Sequence, residues 1–195
     1  QLYTKLLAYD QICLEAQENY LKQTYRNRCI IAAANGPQAL TVPIVKPDTL
    51  KCLTKDIRIS DHGNWRHLHW NALISAYRMS PFFEYYEEDF APFYEKKYEF
   101  LLDFNEALRE VVCQLIDIQP QIRYTTDYQP DVTADFREII RPKHEGNDPS
   151  FQPVPYYQVF QEKQGFLPNL SIVDLLFNMG PESLLVLQKS IQKDI

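Results

Sequence analysis

Two arginines stand two residues apart in Tyr25-Arg26-Asn27-Arg28, just before the β-forming run Cys29-Ile30-Ile31. Read as the start of a strand, this spacing puts both guanidinium groups on one face, with Tyr25, Asn27 and Cys29 on the other. Paired cations repel unless solvent screens them or an anion lies between. The planar fork of arginine suits carboxylate and phosphate. The competing reading is a solvated pair, or a pair tied to Glu15 and Glu18. His69 is the second chemical candidate. It falls on the inward stripe of an aromatic-rich helix, where an imidazole can serve as general base near neutral pH. Its alternative is a core histidine satisfied by one hydrogen bond.

Other chemistries find little local support. His67 and His69 are two apart and point about 160° from each other on a helix, so they cannot share a metal. Asp61, His62 and His69 meet only through tertiary folding, and no metal or cofactor is expected. Cys13, Cys29, Cys52 and Cys113 form no CxxC pair and match no zinc spacing, so free thiols in a reducing, cytoplasmic setting are the expectation. Strand alternation points Cys29 away from the arginines, which argues against an activated thiol. No nucleophile elbow, P-loop or GxGxxG occurs. Glu84, Glu87, Glu88 and Asp89 crowd a short segment beside Phe82, Phe83, Tyr85 and Tyr86. Such a surface can bind sugars, although a helix N-terminus attracts the same acidic residues without any ligand.

The elements that must position these residues follow from periodicity and turn chemistry. Residues 2–9 have helical spacing, and 11–16 read as a short strand. Runs 25–33 and 38–46 form a hairpin around Asn35-Gly36, where Asn-Gly accepts positive φ. Pro43 cannot donate a ladder bond, which places that run at an edge or bulge. Residues 56–60 alternate as a further strand. Asn64 is the expected cap of a helix over 65–79. Pro81 opens another over 82–90, and Pro92 a longer one through 118. Segment 119–155 is rich in proline and is expected to be an irregular loop, with short strands near 122–125 and 136–140. Residues 156–160 read as extended. Ser171 with Asp174 has capping-box spacing for a helix over 172–178, and Pro181 begins a terminal helix to 192. The fold class is therefore α+β: a single domain over 1–195, with a hairpin-centred mixed or antiparallel sheet packed against a helical middle and C-terminal segment.

Composition bounds the partners. The 195 residues include 13 Tyr, 13 Pro and only 5 Gly, which points to stiff connections. A net charge of −6 argues against nonspecific binding to nucleic acid or anionic membrane. No apolar run is long enough for a membrane helix, and no signal peptide is visible. The chain opens at Gln1 in mid-pattern without Met, so preceding native residues are expected. The sequence leaves the oligomeric state open.

Several stretches together resemble the WbqC-like family. They are Tyr25-Arg26-Asn27-Arg28; the run 35–43, Asn-Gly-Pro-Gln-Ala-Leu-Thr-Val-Pro; His69-Trp70 followed by Ala76-Tyr77 and Pro81-Phe82-Phe83; and 168–178, Pro-Asn-Leu-Ser-Ile-Val-Asp-Leu-Leu-Phe-Asn, with Gly180. The family's usual opening, Gln-Pro-x-Tyr or Pro-x-x-Tyr, is missing, and its frequent Trp at position 25 is Tyr here. Some members lie in O-antigen gene clusters, where glycine transfer has been suggested for one. The resemblance implies a transferase of surface-polysaccharide biosynthesis that moves an amino-acyl group to a sugar. It implies His69 as the catalytic residue and Arg26, Asn27, Arg28 and Tyr77 as contacts to a small or sugar-linked anionic substrate. The alternative is a noncatalytic binding or assembly protein of the same pathway.

Overall fold

A computed structural model describes residues 1–47, 51–142 and 148–192. Its elements are α1 (Leu2–Ala8), β1 (Gln11–Leu14), β2 (Arg28–Ala33), β3 (Gly36–Thr41), α2 (Trp65–Tyr77), α3 (Phe83–Phe90), α4 (Pro92–Glu95), α5 (Leu101–Leu115), β4 (Gln121–Tyr124), α6 (Gln161–Gln164), α7 (Ile172–Met179) and α8 (Ser183–Lys189). The class is α+β. The strands form separate two-stranded ladders: the antiparallel hairpin β2–β3 and the parallel pair β1–β4.

Hairpin register runs from Arg28↔Thr41 to Ala33↔Gly36, with Gly36 at φ +117 beside the turn. The backbone of Ile30 faces outward, because its carbonyl accepts from Ser171 N–H at 2.7 Å. In an antiparallel ladder that face alternates, so Arg28, Ile30 and Ala32 turn their backbone groups away from β3. Pro37 pairs with Ala32. Its missing N–H thus falls on the outer side and costs the ladder nothing. The hairpin ends at Thr41, before Pro43. Beyond it the chain changes partner: Ser60 N–H donates to Pro43 O at 2.9 Å, and Val45 N–H to Arg58 O at 2.9 Å.

Several expectations need correction. Residues 56–60 form no ladder but isolated bridges, Ile44↔Ile59 and Arg58↔Phe100. The helix expected over 92–118 is broken: Lys96 is extended, and α5 starts only at Leu101. Tertiary pairing explains the break, since Ile59 N–H donates to Glu99 O at 2.8 Å and Leu101 N–H to Ile57 O at 2.9 Å. Residues 136–140 form a turn, closed by Ile140 N–H to Phe136 O at 2.9 Å. Asn64 is left-handed at φ 48 and makes no side-chain cap, because a capping side chain needs an extended backbone. Ser171 is extended but also caps nothing with its side chain. Helix α8 ends at Lys189, after a 3₁₀ turn at Gly180–Glu182. Within the proline-rich segment, residues 143–147 lie outside the described ones.

Two buried clusters hold the fold. Leu73, Tyr77, Phe83, Phe90, Leu176 and Phe177 belong to the first. Val42, Ile57, Trp65, Leu101 and Phe104 belong to the second, and Tyr94 and Leu108 pack against both. Phe177 is central, meeting Tyr77, Phe83 and Phe90 with ring centroids 5.1 to 5.4 Å apart. Gly180 ends α7 at φ +54, where an added Cβ would lie 2.5 Å from the Phe82 ring. Gly180→Ala should therefore cost about 1–3 kcal/mol of stability, from backbone strain and steric overlap together. Urea unfolding measures it, and a midpoint equal to wild type would contradict this packing.

Candidate functional site

Helix α2 lies across the hairpin, and two of its side chains, eight positions apart, reach the hairpin's backbone. His69 is 9% exposed and is hydrogen-bonded to the backbone of Thr41 on β3. The Tyr77 hydroxyl accepts Ala32 N–H of β2 at 3.1 Å. Leu73 lies between them in the core. The His69 ring also meets Trp65 edge-on, with centroids 5.1 Å apart, and Tyr94 at 6.4 Å. Burial pushes its pKa down to about 4, against a smaller opposing effect of the Thr41 hydrogen bond. At neutral pH the ring is uncharged.

The arginines do not share a strand face. Tyr25, Arg26 and Asn27 lie in a turn, and β2 begins only at Arg28. The turn is fixed by its own polar groups: Asn105 Nδ2 donates to Arg26 O at 2.7 Å, and Asn27 Nδ2 to Val42 O at 3.2 Å. Arg26 pairs with Glu18 in a partly buried ion pair, the simpler of its sequence readings. Glu15 instead accepts from Thr125 Oγ1 at 2.6 Å and lies 3.6 Å from Arg137. Arg28 differs from Arg26. Among the described residues no carboxylate pairs with it, and its Nε is buried without a partner. Asn27 Oδ1, the Tyr20 hydroxyl and Trp65 Nε1 are also buried and unpartnered. Val42 and Trp65 belong to the second core cluster and Tyr20 packs against it, while Asn27 reaches it through its hydrogen bond to Val42 O. Desolvation raises the Tyr20 pKa, while the charges of Arg26 and Arg28 pull it back.

Sequence reading missed Asp174. It is 0% exposed, and its carboxylate accepts from Tyr77 OH at 2.8 Å, Tyr156 OH at 2.7 Å and Gln158 Nε2 at 3.0 Å. Burial raises its pKa, and the three donors hold it back. The same burial, with Asp174 beside them, pushes both tyrosines far above their usual range. A charged residue inside Ile172-Val173-Asp174-Leu175-Leu176-Phe177 is itself a signal of a buried polar contact. Its capping-box spacing with Ser171 points only to the helix start. Tyr77, expected to touch substrate, spends its hydroxyl on Asp174 and Ala32.

The remaining candidates lie apart. Burial of Cys29 pushes its thiol up to about 11, opposed by a hydrogen bond with Ser171. Cys13 is exposed and Cys113 buried, and all four thiols are free. On α3, Phe83 and Tyr86 turn into the core while Tyr85 is 75% exposed among the acidic residues. Among the described residues no group of His, Cys, Asp and Glu could hold a metal ion, and no helix is long and apolar enough to cross a membrane. Cavities of about 710 and 390 Å³ lie around the α5–β4 turn, and neither is lined by Arg26, Arg28 or His69.

The profile of the WbqC-like protein family matches residues 1–147 and 140–186. The uncharacterized protein Rv1507c of Mycobacterium tuberculosis (strain ATCC 25618 / H37Rv) is 27% identical over 207 aligned positions, covering 93% of this chain and 89% of that protein. No solved structure matches. The chain belongs to the WbqC-like family.

A buried neutral histidine gives stability a defined pH dependence. Its folded pKa, about 4, lies below the ordinary 6.5. The unfolded chain therefore takes up a proton first as pH falls, and stability drops between pH 6.5 and about 4, by roughly 3 kcal/mol in total. His69→Gln should flatten that part of the profile, and NMR titration of the His69 ring reads the pKa directly. A ring titrating at its ordinary pKa would contradict the burial.

Proposed function

We propose that the protein serves surface-polysaccharide biosynthesis by binding a small, anionic, sugar-linked ligand through Arg28. One observation carries this reading: Arg28 has no carboxylate partner among the described residues, and its buried Nε is unpartnered. An unsatisfied buried donor is costly, of order 1–3 kcal/mol, and a bound anion repays that cost through charge-assisted hydrogen bonds. Asn27 Oδ1, on the residue next to Arg28 in the chain, and the Tyr20 hydroxyl, which feels the Arg28 charge, are also unpartnered and can complete the contacts. Family membership supports the pathway, through the O-antigen setting of some members.

A second reading, amino-acyl transfer to a sugar, draws on His69. Its ring is uncharged at neutral pH and so can accept a proton. The same burial that keeps it neutral lowers its basicity to about 4, well below the operating pH where a general base works best. Arg26, which would help orient such a substrate, is committed to Glu18. Binding therefore stands first.

Calorimetric titration with inorganic phosphate and a hexose 1-phosphate tests the binding reading. Arg28→Lys keeps the charge but loses the fork, so affinity should fall about tenfold or more, as expected for hydrogen bonds to a charged group. Arg26→Gln should lower stability and leave affinity unchanged. Equal affinity in wild type and Arg28→Lys would remove the proposal. Transfer from an added thioester-activated amino acid to a sugar acceptor, with release of the thiol, by wild type but not by His69→Gln would move the reading to transfer.

A further inference from the structure

The parallel ladder β1–β4 has two outer edges, and the fold treats them differently. Leu14 O accepts Thr125 N–H at 3.1 Å. With Leu14 in register with Tyr124, the backbone groups of Ile12, Leu14, Gln121 and Arg123 therefore face inward along the ladder. Those of Gln11 and Cys13 point off one edge, and those of Ile122 and Tyr124 off the other. The β1 edge is flanked by the segment after β4. Gln129 N–H donates to Glu15 at 3.1 Å, Arg137 lies 3.6 Å from Glu15, and Phe136 packs on Tyr9 at 5.6 Å between centroids. The β4 edge has no such cover. Among the described residues nothing pairs with the outward backbone groups of Ile122 and Tyr124, and Gln121, Arg123 and Tyr124 are exposed. An unpaired edge is a template for another strand, and a two-stranded ladder is marginal without one.

The charges beside this edge differ between its two ends. Arg123, near the C-terminal end of β4, is exposed and has no carboxylate partner among the described residues. Gln121, at the other end, is on the same face of the strand. It lines the larger cavity together with Asp10 and Asp117. Both acids are exposed, and among the described residues neither has a basic partner. Pro120, Ile122 and Tyr124 line the smaller cavity, on the opposite face. Turned end for end, the strand therefore matches itself: its basic end meets its acidic end.

We propose that β4 pairs antiparallel with β4 of a second copy of this chain, joining two ladders into one sheet about a two-fold axis. Ile122 faces its own counterpart, and the two exchange N–H···O=C bonds. Tyr124 falls opposite Pro120, whose carbonyl takes the Tyr124 N–H and whose missing N–H costs one bond. Arg123 falls opposite Gln121, toward the cavity that holds Asp10 and Asp117 of the other copy. A register centred on Arg123 would pair the same edge, but it sets two arginines face to face, and like charges directly opposite are destabilising. The contact is isologous and closes at the dimer. It does not involve Arg28 and stands apart from the anion reading.

Sedimentation equilibrium and amide hydrogen exchange test it. An interface this small is weak, so a monomer–dimer equilibrium is expected with a dissociation constant on the order of 0.1 mM. Between about 30 μM and about 1 mM, exchange at Ile122 and Tyr124 should slow severalfold. The Arg123 amide, turned toward β1 in either state, should not change. Arg123→Glu should weaken association about tenfold or more. Adding Asp10→Lys and Asp117→Asn to that variant should restore part of it. Asp117 is left-handed at φ 56, which Asn tolerates. These side chains are exposed and unpaired, so the urea midpoint should stay at the wild-type value. A protein still monomeric at about 1 mM overturns the proposal and leaves the edge to a strand from another protein. A dimer in which Ile122 and Tyr124 exchange as fast as at low concentration, or one indifferent to Arg123→Glu, overturns it as well.

Discussion

A carboxylate removed from water must be given donors, and in this fold that requirement falls on Asp174. An unpaired buried charge costs several kcal/mol. Here the cost is offset by Tyr77, Tyr156 and Gln158, which come from α2 and from the extended segment before α6. The backbone of Asp174 contributes too: its carbonyl accepts from Asn178 Nδ2 at 2.7 Å. Three parts of the chain, far apart in sequence, are thereby held to one point. Networks of this kind are specific because partial satisfaction is worse than none.

Through Tyr77 that point reaches the hairpin. The hydroxyl that donates to Asp174 also accepts from Ala32, and Ser171, at the start of the helix that carries Asp174, donates to Ile30. The outer edge of β2 is thus covered by side-chain and backbone groups, and His69 does the same for Thr41 of β3. A two-stranded hairpin is marginal alone, and exposed edges invite mispairing. Helix α2 answers both problems, which gives His69 and Tyr77 structural work whatever else they do. Arg28, at the start of β2, has no carboxylate partner among the described residues, unlike Arg26.

Local signals were legible in the sequence. Asn35-Gly36 marked the hairpin, because positive φ is a property of the residue itself. The apolar stripe through Trp65, Leu73 and Tyr77 marked α2, and Pro81, Pro92 and Gly180 marked boundaries. What stayed hidden depends on partners distant in the chain. Tyr98 and Leu101 keep helical spacing, yet residues 96–100 are not helical, because Ile59 N–H donates to Glu99 O and Leu101 N–H to Ile57 O. Arg26 looked like a strand residue because the β-forming run that follows is strong, but Asn105 and Glu18 hold its turn. Asp174 carries only a capping reading in the sequence, and its buried role depends on Tyr77, Tyr156 and Gln158, which lie elsewhere in the chain.

The central claim is that Arg28, and not Arg26, meets the anion. The Nε–H resonances of the two arginines test it most directly, since each reports its own hydrogen bonding. On addition of a hexose 1-phosphate, the Arg28 Nε–H signal should move downfield as an acceptor arrives, while that of Arg26, already paired with Glu18, stays where it is. A fixed Arg28 signal at saturating ligand, or a shift confined to Arg26, would contradict the account.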